Sequence, residues 1–134
     1  MFLGVLTKEG KKNKAKTLLD KSLVSVSLKT NKKISTILVK LIQSSSTLVE
    51  ARRRRVGRQF YVVPFPVKSW RRRFLSVKNL ISSVESDKAK IPFSQKLSNE
   101  ITNITIGRET KTVLENQKRI KQIVLNRSNT HFRW

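Results

Sequence analysis

A chain of 134 residues holds 30 Lys and Arg against 8 Asp and Glu, a formal charge of +22. Self-repulsion on that scale opposes compaction and makes a polyanion the economical partner. There is no Cys and a single His, His131, which excludes disulfides, thiolate metal sites and a His-based zinc centre.

The length fits one domain, residues 1–134, on a prior of about 100–200 residues per domain. Hydrophobic residues make up 37% of the chain, below the roughly 45–50% of an average globular protein, so the core is expected to be modest. Phosphates that neutralise the surface should stabilise it. No apolar run approaches the ~20 residues of a membrane helix; the nearest, Ile34 to Val49, is broken by Lys40 and diluted by Ser44-Ser45-Ser46. The acids Glu9, Asp20, Glu50, Glu85, Asp87, Glu100, Glu109 and Glu115 are scattered, and no Ser sits in a nucleophile-elbow sequence. No enzyme and no cofactor are expected.

Met1 to Leu6 is too short for a signal-peptide apolar core and lacks the Arg-rich amphipathic character of a transit peptide. A protein with such a start that works in an organelle is expected to be made there, and abundant Lys, Ser, Asn and Ile point to an AT-rich genome. Glu9-Gly10-Lys11-Lys12 then forms a basic turn. It lacks the upstream Gly and the Ser or Thr after Lys of a nucleotide loop, which leaves Lys11 and Lys12 as candidates for backbone phosphate or for plain solvation.

Apolar spacing predicts a helix from Lys14 to Leu28, with Ala15, Leu18, Leu19, Leu23 and Val26 on one stripe. A second, Lys33 to Gln43, repeats the pattern with Ile34, Ile37, Leu38, Leu41 and Ile42. The period then changes to two. Thr47 to Arg54 and Gln59 to Val67 read as strands about a turn at Val56-Gly57-Arg58, where Gly57 can take positive φ. Pro64 and Pro66 lie two apart, so their missing N–H groups share one strand edge. The other edge can pair, while the proline edge cannot recruit a third strand. A lone β-ribbon, about residues 47–67, is expected to protrude from a helical body.

That ribbon opens the most basic part of the chain. From Ala51 to Val84 there are ten Lys or Arg and no acid. Arg52, Arg53, Arg54, Arg55 and Arg58 flank the turn, and Arg71, Arg72 and Arg73 begin the next helix. Guanidinium groups are planar, always charged and able to donate two parallel hydrogen bonds to phosphate. Interleaved aromatics can stack on unpaired bases. Basic side chains at a helix N-terminus oppose the macrodipole at about 0.3–1 kcal/mol each; a bound phosphate reverses that sign.

A third helix carries Trp70, Phe74, Val77, Leu80, Ile81 and Val84, and a fourth carries Phe93, Leu97, Ile101 and Ile104, with Pro92 suited to its first turn. A fifth follows Gly107 with Val113, Leu114, Ile120 and Val124. Each stripe reads as core rather than ligand surface. Lys111, Lys118, Arg119, Lys121 and Arg127 make the outer side of the last helix basic. The tail has no clear period and closes on His131-Phe132-Arg133-Trp134, two aromatics either packed as an anchor or held for stacking.

Gly10-Lys11-Lys12 opening a helix, Arg53-Arg54-Arg55-Val56-Gly57 at a ribbon tip and Tyr61-Val62-Val63-Pro64 in its return strand form an ordered set. Arg72-Arg73, Leu97-Ser98-Asn99-Glu100 and His131-Phe132-Arg133-Trp134 continue it. Together they resemble the small-subunit ribosomal protein seven family over nearly the whole chain. Here only Met1 to Leu6 could remain of the family's first helix, its basic N-terminal tail is missing, Arg58 replaces a second turn glycine, and Thr130 replaces a small apolar residue.

The resemblance implies a mainly α domain of about five to six helices with a two-stranded ribbon, bound in the head of the small ribosomal subunit. Members bind the 3′ major domain of small-subunit rRNA and organise the head. Their ribbon points toward exit-site tRNA and outgoing mRNA, and ribosomal proteins nine and eleven are neighbours. On this reading Lys11, Lys12, Arg52, Arg53, Arg54, Arg55, Arg71, Arg72, Arg73, Lys111, Lys118, Arg119, Arg127 and Arg133 contact rRNA. Val56, Gly57 and Arg58 form the tip nearest tRNA or mRNA. Composition and the early start favour an organelle-encoded mitochondrial ribosome over a bacterial or plastid one. The alternatives are a non-ribosomal RNA- or DNA-binding protein and a cationic membrane-surface protein. The latter is disfavoured because the charge crowds a ribbon and helix starts rather than one amphipathic helix face.

Overall fold

The computed structural model describes residues 1–134. Six α-helices, α1 (Phe2–Leu6), α2 (Lys12–Thr30), α3 (Ile34–Ser45), α4 (Ser69–Glu85), α5 (Phe93–Ile106) and α6 (Lys111–Leu125), form the body, and a two-stranded antiparallel ribbon of β1 (Val49–Val56) and β2 (Gln59–Pro66) extends from it between α3 and α4. A 3₁₀ segment, Arg127–Phe132, ends the chain. The mainly helical body with one ribbon is the expected architecture.

Local sequence sets the boundaries. Asn31 ends α2 in the left-handed region at φ 50°, a conformation its short polar side chain tolerates. Gly107 ends α5 at φ 93°, with its N–H on the Ile104 carbonyl and the Arg108 N–H on that of Asn103, the paired bonds of a Schellman turn. Pro92 is the residue immediately before α5, one position earlier than expected. The Thr110 hydroxyl caps α6 by accepting from the Val113 N–H at 3.4 Å.

α4 is the central helix. Its Leu80 and Val84 join Val26, Ile37, Leu41, Leu97, Ile101 and Ile104 in the main core. Val77 and Ile81 join Leu6 and Ala15 in a smaller cluster that pins α1 down. Each fully buried Val, Leu or Ile of these clusters stabilises the fold by about 1.5–3 kcal/mol.

Three stripes depart from expectation. Ile34 and Trp70 are exposed, each in the first turn of its helix (α3 and α4), ahead of the residues that reach the core. On α6, Leu114, Ile120 and Val124 are 42%, 46% and 56% exposed, while Thr112 and Asn116 are buried. The cause is a polar seam. Asn116 Nδ2 donates to the Ser45 carbonyl at 2.7 Å, and Asn79 Nδ2 donates to Asn116 Oδ1 at 3.0 Å. Thr112 bonds Ser83 at 2.5 Å and donates to Glu100 Oε1 at 2.6 Å. Counting apolar residues alone cannot see a helix that docks through polar ones.

Candidate nucleic-acid interface

β1 and β2 pair with Arg52 opposite Val63, Arg53 opposite Val62, Arg54 opposite Tyr61 and Arg55 opposite Phe60. Gly57 and Arg58 alone form the turn, with φ 61° at Gly57. Positive φ at the first central residue and not at Arg58 is the pattern of a type II′ hairpin turn, which suits the strand twist.

The pleat divides the arginine row, since successive side chains point to opposite faces. Glu50, Arg52 and Arg54 share one face with Phe65, Val63 and Tyr61. There Arg52 bonds Glu50 Oε2 at 3.0 Å, and the guanidinium groups of Arg52 and Arg54 lie 5.5 and 5.6 Å from the Phe65 ring centre. Arg54 also donates to the Trp134 main-chain oxygen. Arg53 and Arg55 share the other face with Phe60 and Val62. Arg53 has no side-chain partner, and Arg55 spends only its Nε, on the Gly57 carbonyl at 3.1 Å. Arg58 at the tip is exposed and unpaired.

The start of α4 is divided in the same way. Arg71 reaches back to Glu50 Oε1 at 2.9 Å and lies 5.7 Å from the Phe74 ring centre. Arg72 donates to the Ser46 hydroxyl at 3.2 Å. Both keep a buried Nε with no acceptor. Arg73 is exposed and unpaired. Arg72 and Arg73 line a shallow groove with Ser46, Ser69, Ile42 and Gln43.

Glu50 is therefore the anion that organises these arginines from inside the protein. The Arg71 hydrogen bond holds its carboxyl below the usual range, desolvation opposes this, and the Arg52 hydrogen bond adds to the lowering. The same bond raises the Arg71 pKa against its own desolvation. In the sequence Glu50 is one of eight scattered acids. The signal was its place two residues before Arg52 in a period-two stretch, which puts both on one face.

The other expected contacts lie apart. Lys11 precedes α2 and pairs with Glu9 at 2.5 Å, and Lys12 starts the helix exposed. Lys111, Lys118 and Lys121 are exposed along α6, and Arg119 reaches Glu115 only at 4.0 Å. The tail holds Arg127 exposed and Arg133 committed, its Nε donating to the Pro64 carbonyl at 3.2 Å. Asn129 donates to the Val62 carbonyl at 3.2 Å, and Phe132 meets Tyr61 with ring centres 4.9 Å apart. Val62 and Pro64 sit on the proline edge. Stripped of N–H donors at Pro64 and Pro66, that edge offers carbonyls, and the tail answers with side-chain donors. Phe132 is the packed aromatic; Trp134 stays exposed.

The profile of the family described as ribosomal protein S7p/S5e matches residues 1–122. The chain belongs to this family. It is 32% identical to small ribosomal subunit protein uS7 of Thermosipho africanus over 127 residues, 94% of this chain and 80% of that one. The uS7 proteins of Phytoplasma australiense and Chelativorans sp. are 28% and 30% identical over 132 and 133 residues, covering 98% and 99% of this chain and 83% and 84% of theirs. These relatives are bacterial. S7p/S5e proteins are ribosomal and not enzymes, and the matched span includes the ribbon and both arginine groups. No helix is long and apolar enough to cross a membrane.

Proposed function

We propose that this chain is a structural constituent of the small ribosomal subunit that acts as one domain over residues 1–134. It binds the 3′ major domain of the small-subunit rRNA and organises the head around it. The observation that carries this reading is a set of exposed guanidinium groups without acidic partners, Arg53, Arg55, Arg58 and Arg73, on the ribbon and on the helix start tied to its root through Arg71 and Glu50. Folded RNA is recognised largely through phosphate and 2′-hydroxyl contacts, and such groups supply the donors.

The remaining arginines act at one remove. Arg52, Arg54 and Arg71 hold the ribbon's shape through Glu50 and Phe65 and add positive potential. Arg72 lines the groove beside Arg73 with one terminal nitrogen on the Ser46 hydroxyl, and its remaining terminal N–H groups would meet a phosphate there. Lys11, Lys12, Lys111, Lys118, Arg119, Arg127 and Arg133 supply further phosphate contacts. Val56, Gly57 and Arg58 form the tip nearest exit-site tRNA and mRNA, with ribosomal proteins nine and eleven as neighbours. The finer reading, an organelle-encoded mitochondrial ribosome, rests on the Lys-, Ser-, Asn- and Ile-rich composition. Co-sedimentation with mitochondrial small subunits tests it.

Filter binding at moderately high salt tests the function, comparing the cognate 3′ major domain with an unrelated folded RNA of equal length. A preference of tenfold or more, about 1.4 kcal/mol, is expected. Equal affinities that collapse together with salt would reduce the protein to a non-specific polycation.

A further inference from the structure

The two ribbon faces differ in what their side chains lack. On the face of Arg52 and Arg54 each guanidinium is already engaged, by Glu50, by Phe65 or by the Trp134 main-chain oxygen. On the opposite face Arg53 is unpaired, and Arg55 is steadied over the turn by the Gly57 carbonyl with its terminal nitrogens free. Phe60 stands directly across from Arg55 and diagonal to Arg53 on the same face, with 70% of its surface exposed. Among the ring side chains of the ribbon it is the one left out: Tyr61 lies against Phe132, and Phe65 lies under two guanidinium groups.

We infer that Phe60, Arg53 and Arg55 form a stacking site for a single unpaired RNA nucleotide, the base on the Phe60 ring and its flanking phosphates on the two guanidinium groups. The proposal rests on the RNA-binding reading above and assigns a residue that the arginine pattern alone does not. A bare phenyl ring this exposed has no protein surface to cover it. On its face it has Arg55 across, Arg53 on the diagonal and the apolar Val62 beside it, and the one acid of the ribbon, Glu50, lies on the other face. That charge disfavours a basic protein surface and favours a polyanion. Within a polyanion, duplex RNA hides its base faces, whereas an unpaired nucleotide presents one. The Gly57 carbonyl restrains Arg55 at 3.1 Å on the strand position across from the ring, which lowers the cost of ordering it when base and phosphate bind together.

The test uses the full chain and a short single-stranded RNA, with the matching duplex as comparison. Variants are Phe60→Leu, which keeps an apolar side chain without a π-face, and Phe60→Trp, which enlarges that face. Phe60→Leu is expected to weaken single-strand binding about tenfold and to leave duplex binding and the salt slope unchanged, while Phe60→Trp binds at least as well as the wild type. An abasic substitution at one position of the strand should cost the wild type a similar factor and cost Phe60→Leu nothing more, since both remove one contact. Additive losses, or wild-type binding by Phe60→Leu, would overturn the stacking site while the rRNA-domain preference still stands. If the wild type binds neither the rRNA domain nor the single strand, both readings fall together.

Discussion

Arg71 in the first turn of α4 donates to Glu50 near the start of β1 at 2.9 Å, and so ties the root of the ribbon to the central helix of the body. Arg52 takes the other carboxylate oxygen at 3.0 Å, which makes one acid the hub for two elements. Replacing Glu50 with Gln should destabilise the protein by about 1.5–3 kcal/mol, the range for losing hydrogen bonds to charged groups. It should also loosen the ribbon relative to the body. Urea unfolding gives the first quantity; amide exchange of β1 against α4 gives the second. An unchanged midpoint would mean the pair is solvent-screened and idle.

The same hub predicts an acid dependence. The Glu50 carboxyl is held below its ordinary value of 4.5, chiefly by the Arg71 hydrogen bond. Folding therefore favours its ionised form, and the stability it contributes is fully present above pH 4.5. That contribution is lost as pH falls through the lower folded value. Unfolding curves of wild type and Glu50→Gln should lie apart at neutral pH and converge in acid. A constant gap from neutral pH downward would remove Glu50 from the acid response.

The division of the arginine row predicts a division of phenotypes. Arg53 and Arg55 lie on the open face, so changing both to Gln should leave stability within about 0.5 kcal/mol. The slope of log affinity against log salt should shrink by about 1.4–1.8, as expected for two lost phosphate contacts. Changing Arg52 and Arg54 instead should lower stability through Glu50 and Phe65 and move the salt slope less. Parallel salt titrations and melts of the two double variants decide it; identical behaviour would mean the pleat does not sort the contacts.

Much of this was legible before the fold was known. The ribbon, its turn and its basic tip follow from a period-two stretch with Gly57 in the turn and two prolines on one edge. α4 and α5 follow from their apolar spacing. What stayed hidden depends on long-range partners. α6 docks through Thr112 and Asn116, and no local pattern marks an Asn as inward-facing when its partners, Asn79 and Ser45, lie 37 and 71 residues away. The tail has no period because it follows the carbonyls of β2, not a repeat of its own.

That polar seam is itself testable. Asn116→Ala deletes one side chain but strands two groups, the Asn79 amide and the Ser45 carbonyl. Each buried group left without a partner costs about 1–3 kcal/mol, so a loss of about 2–4 kcal/mol is expected. Replacing Asn79 and Asn116 together with Leu removes both members of the amide pair and adds apolar surface. It should cost less than the single change if the seam serves to orient α6 more than to stabilise it. Denaturant melts rank the variants, and a double replacement worse than the single one would show that the seam is the main adhesive of α6.

The tail makes the last case, because it completes the edge of β2 that the prolines leave without donors. Asn129 and Arg133 bond the carbonyls of Val62 and Pro64, and Phe132 lies against Tyr61. If these contacts hold the ribbon in place, removing residues 126–134 should raise amide exchange in β1 and β2 while α4 and α5 keep their protection, since the cores of Leu80, Leu97 and Ile101 do not involve the tail. Affinity for the rRNA domain should fall by more than the loss of Arg127 and Arg133 as charges explains, because a mobile ribbon must be ordered on binding. The control keeps the charge but weakens the clamp: Asn129→Ala combined with Phe132→Ala removes two of the three contacts and keeps both arginines. Weakened binding in that variant at an unchanged salt slope would identify ordering of the ribbon as the tail's contribution. An unaffected affinity would leave the tail as a cover for the β2 edge and nothing more.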